Sequence, residues 1–310
     1  MAGIWIYSED TIIAQQMIAL GRELAEQLQQ PVCALTIYAQ DAQTLIAAGA
    51  DKVIVIKGDN PWPESYAQAI AAQAEAQQPG VFFIGGTLRG KDLAAKIAAQ
   101  LQTGLITDAQ AVRVVDGAIE TERMLYGGLA VCTEVLSGMN VVTIPPRAYD
   151  VPAQDAGRSG EIVTVEVTAA AAMAVGNVCP IVRKGADITV AEKLVCVGRG
   201  LGKQEDMQLA QDLAAAMGAE LCCTRSVAED YHWLPNEAYV GLSGQKVKPV
   251  IYLSMGVSGQ VQHVAGIRDS KLIVAIDMNE NAPIFGAADY GIVGDLYQVV
   301  PLLTEAIKNK

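Results

Sequence analysis

The 310-residue sequence predicts an α/β protein of two domains, each with a mostly parallel sheet flanked by helices. Three observations predict it. Short apolar runs alternate with helix-period segments in both halves, the rhythm of βαβ units. Apolar residues make up 51% of the chain and aromatics only 5%, which suits sheets buried on both faces under small-residue helices. The rhythm breaks, then restarts after "RKGADITVAE" (183–192), so we expect domains at 1–187 and 188–310, each long enough for its own core.

In the first half, "GIWIYS", "VCALTIY", "KVIVIK" and "GVFFIGG" read as strands. The helical segments between and after them are Thr11 to Gln29, "AQTLIAAG", "PESYAQAIAAQAEAQQ" with Pro at its start, and "RGKDLAAKIAAQLQ". From Asp108 the pattern becomes antiparallel, with "DG" and "GG" as hairpin turns in a run that ends at "VVTI" and packs on the edge of the first sheet. A Pro-, Gly- and Ser-rich loop (145–160) leads to a further strand, "EIVTVEVT". In the second half "KLVCVGRG", "AELCCTR", "VIYLSMG", "LIVAIDM" and "YGIVGD" are strands. "QEDMQLAQDLAAAMG" is a helix closed by Gly218, and "PLLTEAIKNK" a last helix with lysines towards its C-terminus.

A formal charge of −12 argues against a nucleic-acid groove or an anionic membrane surface. "VTAAAAMAVGNVCPIVRK" is too short and too rich in Ala and Gly to span a bilayer, and "MAGIWIYSEDTII" lacks the basic start of a signal peptide, so a cytoplasmic protein is expected. Six cysteines without a CxxC pair read as buried, reduced thiols, and two histidines without ligand spacing give no metal site.

Five segments carry chemistry. "VGRGLGK" follows a strand and precedes a helix, as a degenerate dinucleotide fingerprint does, and Arg199 there can reach a phosphate or an electron-rich ring. Thr224 and Arg225 end the next strand, so a parallel sheet aims Arg225 into the same cleft; a solvated surface pair is the plain alternative. "YVGLSGQKVKP" sets the Ser243 hydroxyl beside a flexible Gly244, suited to a ring nitrogen or to an ordinary turn. "MGVSGQVQHVAGIRDS" offers backbone N–H groups and the Ser258 hydroxyl ahead of a helical segment with Gln262 and His263, a pocket for a pyrophosphate. Asp277 and Asp295 end strands, where an acid binds ribose or caps a helix.

Together these segments resemble the α subunit of an electron-transfer flavoprotein. The segment from "IYLSMGVSGQVQHVAGIRDS" through "AIDMNENAPIFGAADYGIVGDLYQVVP" is close to that family's signature. "VGRGLG", "TRSVAE" and "YVGLSG" follow the family's order and spacing, and "GTLRGKDLAAKIAAQL" and "MLYGGLA" extend the similarity to the first half. "AEDYHWLPNEAYVG" most resembles the branch linked to carnitine and anaerobic acyl-CoA reduction. The resemblance implies a heterodimer with a β subunit and an FAD held mainly by a doubly wound C-terminal domain. It implies an electron carrier without a substrate of its own, working between an acyl-CoA dehydrogenase or reductase and a quinone oxidoreductase or ferredoxin.

By position, the resemblance puts Arg199 and Arg225 at the isoalloxazine, Ser243 near its N5 and His263 at its O2 edge. Ser258 and Gln262 serve the phosphate and ribityl region, and Asp295 the ADP moiety. It extends cofactor contact to Thr224, Val240, Gly241, Leu242, Gly244, Gly256, Gly259, Gln260, Val261, Asp277 and Leu296. Three positions depart from the family: Ser243 for its usual Thr, Leu242 for Gln, and Asp277 for Asn, which adds a charge. A guanidinium near the N1–C2=O edge favours the reduced, anionic ring and raises its potential. Rival readings are a bifurcating, NADH-oxidising carrier whose second FAD sits on the partner, an NAD-dependent oxidoreductase, and a module whose nucleotide is structural.

Overall fold

The computed structural model describes residues 3–168, 176–180 and 185–309, which form two compact units, Met1–Val178 and Cys179–Lys310. The boundary expected between 187 and 188 falls inside the second unit, and the apolar segment at 167–184 lies largely outside the described residues.

In the first unit, strands β1 (Ile4–Tyr7), β2 (Val32–Thr36), β3 (Lys52–Lys57) and β4 (Val81–Gly85) alternate with helices. Those helices are α1 (Thr11–Leu28), α2 (Ala42–Ala47), α3 (Ala67–Gln77) and α4 (Leu88–Leu101). Asp10 starts α1 by accepting the N–H groups of Ile12 and Ile13 at 2.8 and 3.2 Å, the usual role of an N-cap carboxylate. Strand side chains alternate between faces. Ile4, Ile6, Val32, Ala34, Val81 and Phe83 pack with α1, while Trp5, Tyr7, Leu35, Phe82 and Ile84 pack with α3 and α4.

Beyond α4 come β5 (Leu105–Ile106), β6 (Ala111–Val115), β7 (Ala118–Leu125), β8 (Ala130–Val135), β9 (Val141–Ile144) and β10 (Glu161–Glu166). Two expectations change here. The hairpins β6-β7-β8 form their own three-stranded sheet instead of extending the first one. "VVTI" leaves the antiparallel run: as β9 it pairs in parallel with β4, completing a seven-stranded sheet ordered β10-β3-β2-β1-β4-β9-β5. A four-residue run of three apolar residues and a threonine is compatible with either pairing, and full burial on both faces selects the parallel one.

The second unit is a five-stranded parallel sheet, β11 (Lys193–Val197), β12 (Glu220–Cys223), β13 (Ile251–Met255), β14 (Ile273–Asp277) and β15 (Tyr290–Val293), ordered β12-β11-β13-β14-β15. That is the 2-1-3-4-5 order of a doubly wound sheet. Helices α5 (Met207–Met217) and α7 (Leu296–Lys308) cover the face bearing Val195, Val197, Leu253 and Met255. Gly218 closes α5 in the left-handed conformation at φ 61°. The final helix starts five residues before Pro301, because Asp295 caps it and Pro301 is accommodated inside. Loops fill the other face, with one short helix, α6 (Val261–Val264), and a π-helical turn at Ser226–Asp230 follows β12 and packs Val227 and Ala228 against Cys223. Among the described residues no helix is long and apolar enough to cross a membrane.

Candidate functional site

Strand order reverses between β11 and β13, so the loops leaving their C-terminal ends diverge and open a crevice. A cavity of about 620 Å³ occupies it, inside the ~300–1,000 Å³ range of small-molecule and cofactor sites. Arg199 and Gly200 enter from the end of β11, Thr224, Arg225 and Ser226 from the end of β12, and Asp277 from the tip of β14. The loop after β13 supplies Gly256, Val257, Ser258, Gly259, Gln260, Gln262 and His263, and the segment before it Tyr239, Val240 and Ser243.

Six residues singled out in the sequence stand outside this wall. Gly241, Leu242 and Gly244 build the turn beside it: their N–H groups donate to Gln245, Gln262 and Gly241 carbonyls at 3.1, 2.7 and 3.1 Å. Val261 opens α6. Asp295 Oδ1 accepts the Tyr297 N–H at 2.9 Å, and Leu296 is buried in the core under α7. Conversely, Gly200, Ser226, Tyr239 and Val257 line the cavity without having been singled out. Ser226 and Val257 are chain neighbours of chosen residues. Tyr239 had a signal, since it lies four residues before Ser243 and the two hydroxyls bond at 3.0 Å.

The loop after β13 is the main backbone feature. Gly256 donates its N–H to Ile276 O at 2.9 Å and His263 donates its own to Gln260 O at 2.8 Å. The intervening N–H groups, Val257 through Gln262, donate to nothing among the described residues. A run of unspent donors is an anion cradle. The loop reaches this shape because Gly256 sits at φ 64° and lies against Gly200: a Cβ on Gly256 would fall 2.6 Å from the Gly200 Cα. The glycines of "VGRG" thus let two loops touch, which brings Arg199 to the cradle's side.

Charge and polarity follow the same geometry. Arg225 Nε donates to Glu229 Oε2 at 2.6 Å across one helical turn, so its guanidinium is partly compensated, and that contact holds its pKa above the ordinary arginine value. Arg199 forms no ion pair among the described residues. Thr224 Oγ1 is buried in the wall without a hydrogen-bond partner. Asp277 Oδ1 accepts the Asn279 N–H at 2.9 Å, which leaves its other oxygen for a hydroxyl.

His263 is only 8% exposed, and both its nitrogens are taken inside the protein. Nδ1 meets the Val240 carbonyl at 3.1 Å, and Nε2 meets the Tyr252 hydroxyl at 2.8 Å. The resemblance puts this ring at the flavin O2 edge; here it lines the cavity with both nitrogens bonded inside the protein. Burial pushes ionisation of the Tyr252 phenol well above its ordinary range and raises the Cys222 thiol as well. The cysteines are all free: Cys33, Cys196, Cys222 and Cys223 are buried, Cys132 is half-buried and Cys179 is exposed.

Open donors, two guanidinium groups and an unpaired buried hydroxyl at a strand-order reversal fit an anionic dinucleotide, and they define a dinucleotide-binding α/β protein. The particular family follows from comparison with known proteins. Residues 187–268 match the electron transfer flavoprotein FAD-binding domain, and residues 10–170 match the electron transfer flavoprotein domain. Protein FixB of Escherichia coli O127:H6 is 38% identical over 310 residues, covering 98% of this chain and 97% of FixB. The "putative electron transfer flavoprotein subunit YdiR" of Escherichia coli K12 is 36% identical over 318 residues, covering 99% of this chain and 98% of that one. FixB of Salmonella agona is 36% identical over 312 residues, with 99% and 98% covered. The chain belongs to the electron transfer flavoprotein family, as an α-type subunit, and its cofactor is FAD.

Proposed function

We propose that the chain pairs with a β subunit as a heterodimeric cytoplasmic electron carrier, with FAD held in the cavity at the β11–β13 reversal. We further propose that the pair moves electrons between a dehydrogenase or reductase of acyl-CoA metabolism and a second redox protein, a quinone oxidoreductase or a ferredoxin. In this reading the chain has no substrate of its own. The observation that carries it is the run of unspent N–H groups from Val257 to Gln262, flanked by Arg199 and Arg225 in one cavity.

FAD, when bound, supplies the one- and two-electron chemistry. The chain's residues bind and tune it. The N–H run and the Ser258 hydroxyl take the pyrophosphate, for which backbone donors are preorganised. Arg199 and Arg225 would supply positive charge to the ring, and the Thr224 and Ser243 hydroxyls would offer it hydrogen-bond donors. Asp277 suits a ribose hydroxyl better than a phosphate, since two anions would repel. Asp295 and Leu296 serve the nucleotide end indirectly, through the start of α7.

The test is a reductive titration of the chain co-purified with its β subunit, followed by visible absorbance. The expected result is flavin absorbance that bleaches and returns reversibly, and that is lost with Arg199→Ala, Arg225→Ala and Ser258→Ala combined. A complex without flavin, or one whose bound flavin cannot be reduced, would overturn the proposal.

A further inference from the structure

Tyr252 is wholly buried on β13, and its hydroxyl ends 2.8 Å from His263 Nε2. The other ring nitrogen faces a carbonyl, Val240 O at 3.1 Å, and a carbonyl only accepts. So Nδ1 carries a proton. A neutral imidazole then has its lone pair on Nε2, and only a donor fits there. The Tyr252 O–H is that donor, since burial keeps the phenol protonated far beyond neutral pH. Cys196, also fully buried on β11, touches both groups, and Cys222 lies beside it in register.

We propose that Tyr252 is a positioning residue for this site: its hydroxyl locks His263 in the Nδ1–H tautomer and fixes the plane of the ring behind the cavity. The consequence rests on the FAD reading of that cavity. Held from β13 and from the Val240 turn, the His263 ring edge that lines the cavity is fixed in orientation. Two contacts at different angles, from β13 and from the Val240 turn, leave the ring no free rotation, whereas either one alone would let it swing or exchange tautomers.

The chain has two histidines, so ¹⁵N-histidine labelling of the full-length chain in its FAD-loaded complex, with the partner unlabelled, reads the tautomer directly. His232→Asn removes the second ring from the spectrum. The expected wild-type result is a one-bond proton coupling at Nδ1 alone, with an Nε2 resonance shifted by an accepted hydrogen bond. Tyr252→Phe should move Nε2 to the position of an unbonded nitrogen or split the ring between tautomers; Tyr66→Phe, a buried hydroxyl of the first unit, should change nothing. A proton on Nε2, or protons on both nitrogens as an imidazolium paired with a Cys196 thiolate would give, overturns the proposal. So does an Nε2 shift unchanged by Tyr252→Phe. Should that variant not fold, the wild-type spectrum decides alone. Flavin content of the same sample separates the two ideas: the tautomer can be wrong with flavin bound, and right with flavin absent.

Discussion

Both parallel sheets send glycine-rich turns off their strand ends, "GGTLRG" after β4 in the first unit and "GRGLG" and "GVSG" after β11 and β13 in the second. The first turn uses part of its donors inside the fold and leaves Thr87, Leu88 and Arg89 N–H without an acceptor among the described residues. Gly86 N–H bonds Ile144 O at 2.6 Å, and Thr87 takes the Gly90 and Lys91 N–H groups at 2.8 and 2.9 Å on its hydroxyl and carbonyl. Among the described residues, the loop after β13 spends none of its donors from Val257 to Gln262. Glycine content is alike in the two places because both need close backbone contact. What differs is how many donors are left over, three against six, and that the longer run lines a cavity flanked by two arginines.

The largest effect that can break this comparison is a methyl group at either turn. At Gly90 a Cβ would meet Gly85 O at 1.9 Å, and at Gly256 it would meet Gly200 Cα at 2.6 Å with φ at 64°. Overpacking, with left-handed strain added at Gly256, gives about 3 kcal/mol or more for each alanine variant. Denaturant unfolding should show both losses. Flavin per folded molecule should fall only for Gly256→Ala. If Gly90→Ala sheds flavin equally, the two turns are not distinct in function.

A smaller effect sharpens the electrostatic side. Arg225 is tied to Glu229 at 2.6 Å, whereas Arg199 has no carboxylate partner among the described residues. Removing Arg225 should lower the flavin potential by about 60 mV for one electron, equivalent to ~1.4 kcal/mol, a Coulomb term much reduced by solvent. Glu229→Gln should shift it the opposite way by releasing the guanidinium. Potentiometry on the two variants checks the signs, and shifts of the same sign would show that Arg225 acts through structure and not through charge.

How much of this could be read beforehand depended on what kind of signal each feature leaves. Strand and helix periods leave one in every residue, so both domains and most strands were legible. The parallel pairing of "VVTI" left none, because so short a run looks the same in either kind of sheet and only the long-range partner decides. Loop residues adjoining a strand end were legible as a group through their order along the chain. Tyr252 was not: alternation along β13 gives its face, but nothing in the sequence says that His263 arrives opposite it. The Arg225–Glu229 pair was there to be read, since four-residue spacing of opposite charges predicts contact once a helical turn is assumed. The unspent N–H groups could not be, because they are defined by bonds that are not made.

The smallest effect tests how completely the first sheet is closed, in contrast to the open crevice of the second. Cys33 on β2 is 3% exposed, and burial pushes its thiol from 9.0 up to about 12. An acid whose folded pKa is raised keeps its proton in the folded state while the unfolded chain loses it. Its contribution to stability is therefore intact below about pH 9 and is lost as pH rises towards 12. At pH 9.5 the loss is just under ~1 kcal/mol. Cys33→Ala costs some packing at every pH but removes this slope, so its denaturation midpoint should converge on that of the wild type between pH 8 and 10. The exposed Cys179 of the second unit supplies the control, because Cys179→Ala should leave the slope as it is. Parallel curves for wild type and Cys33→Ala would mean that the folded thiol ionises as readily as the unfolded one. The sheet would then admit water at β2, and the contrast between a sealed sheet and an open one would fail at that strand.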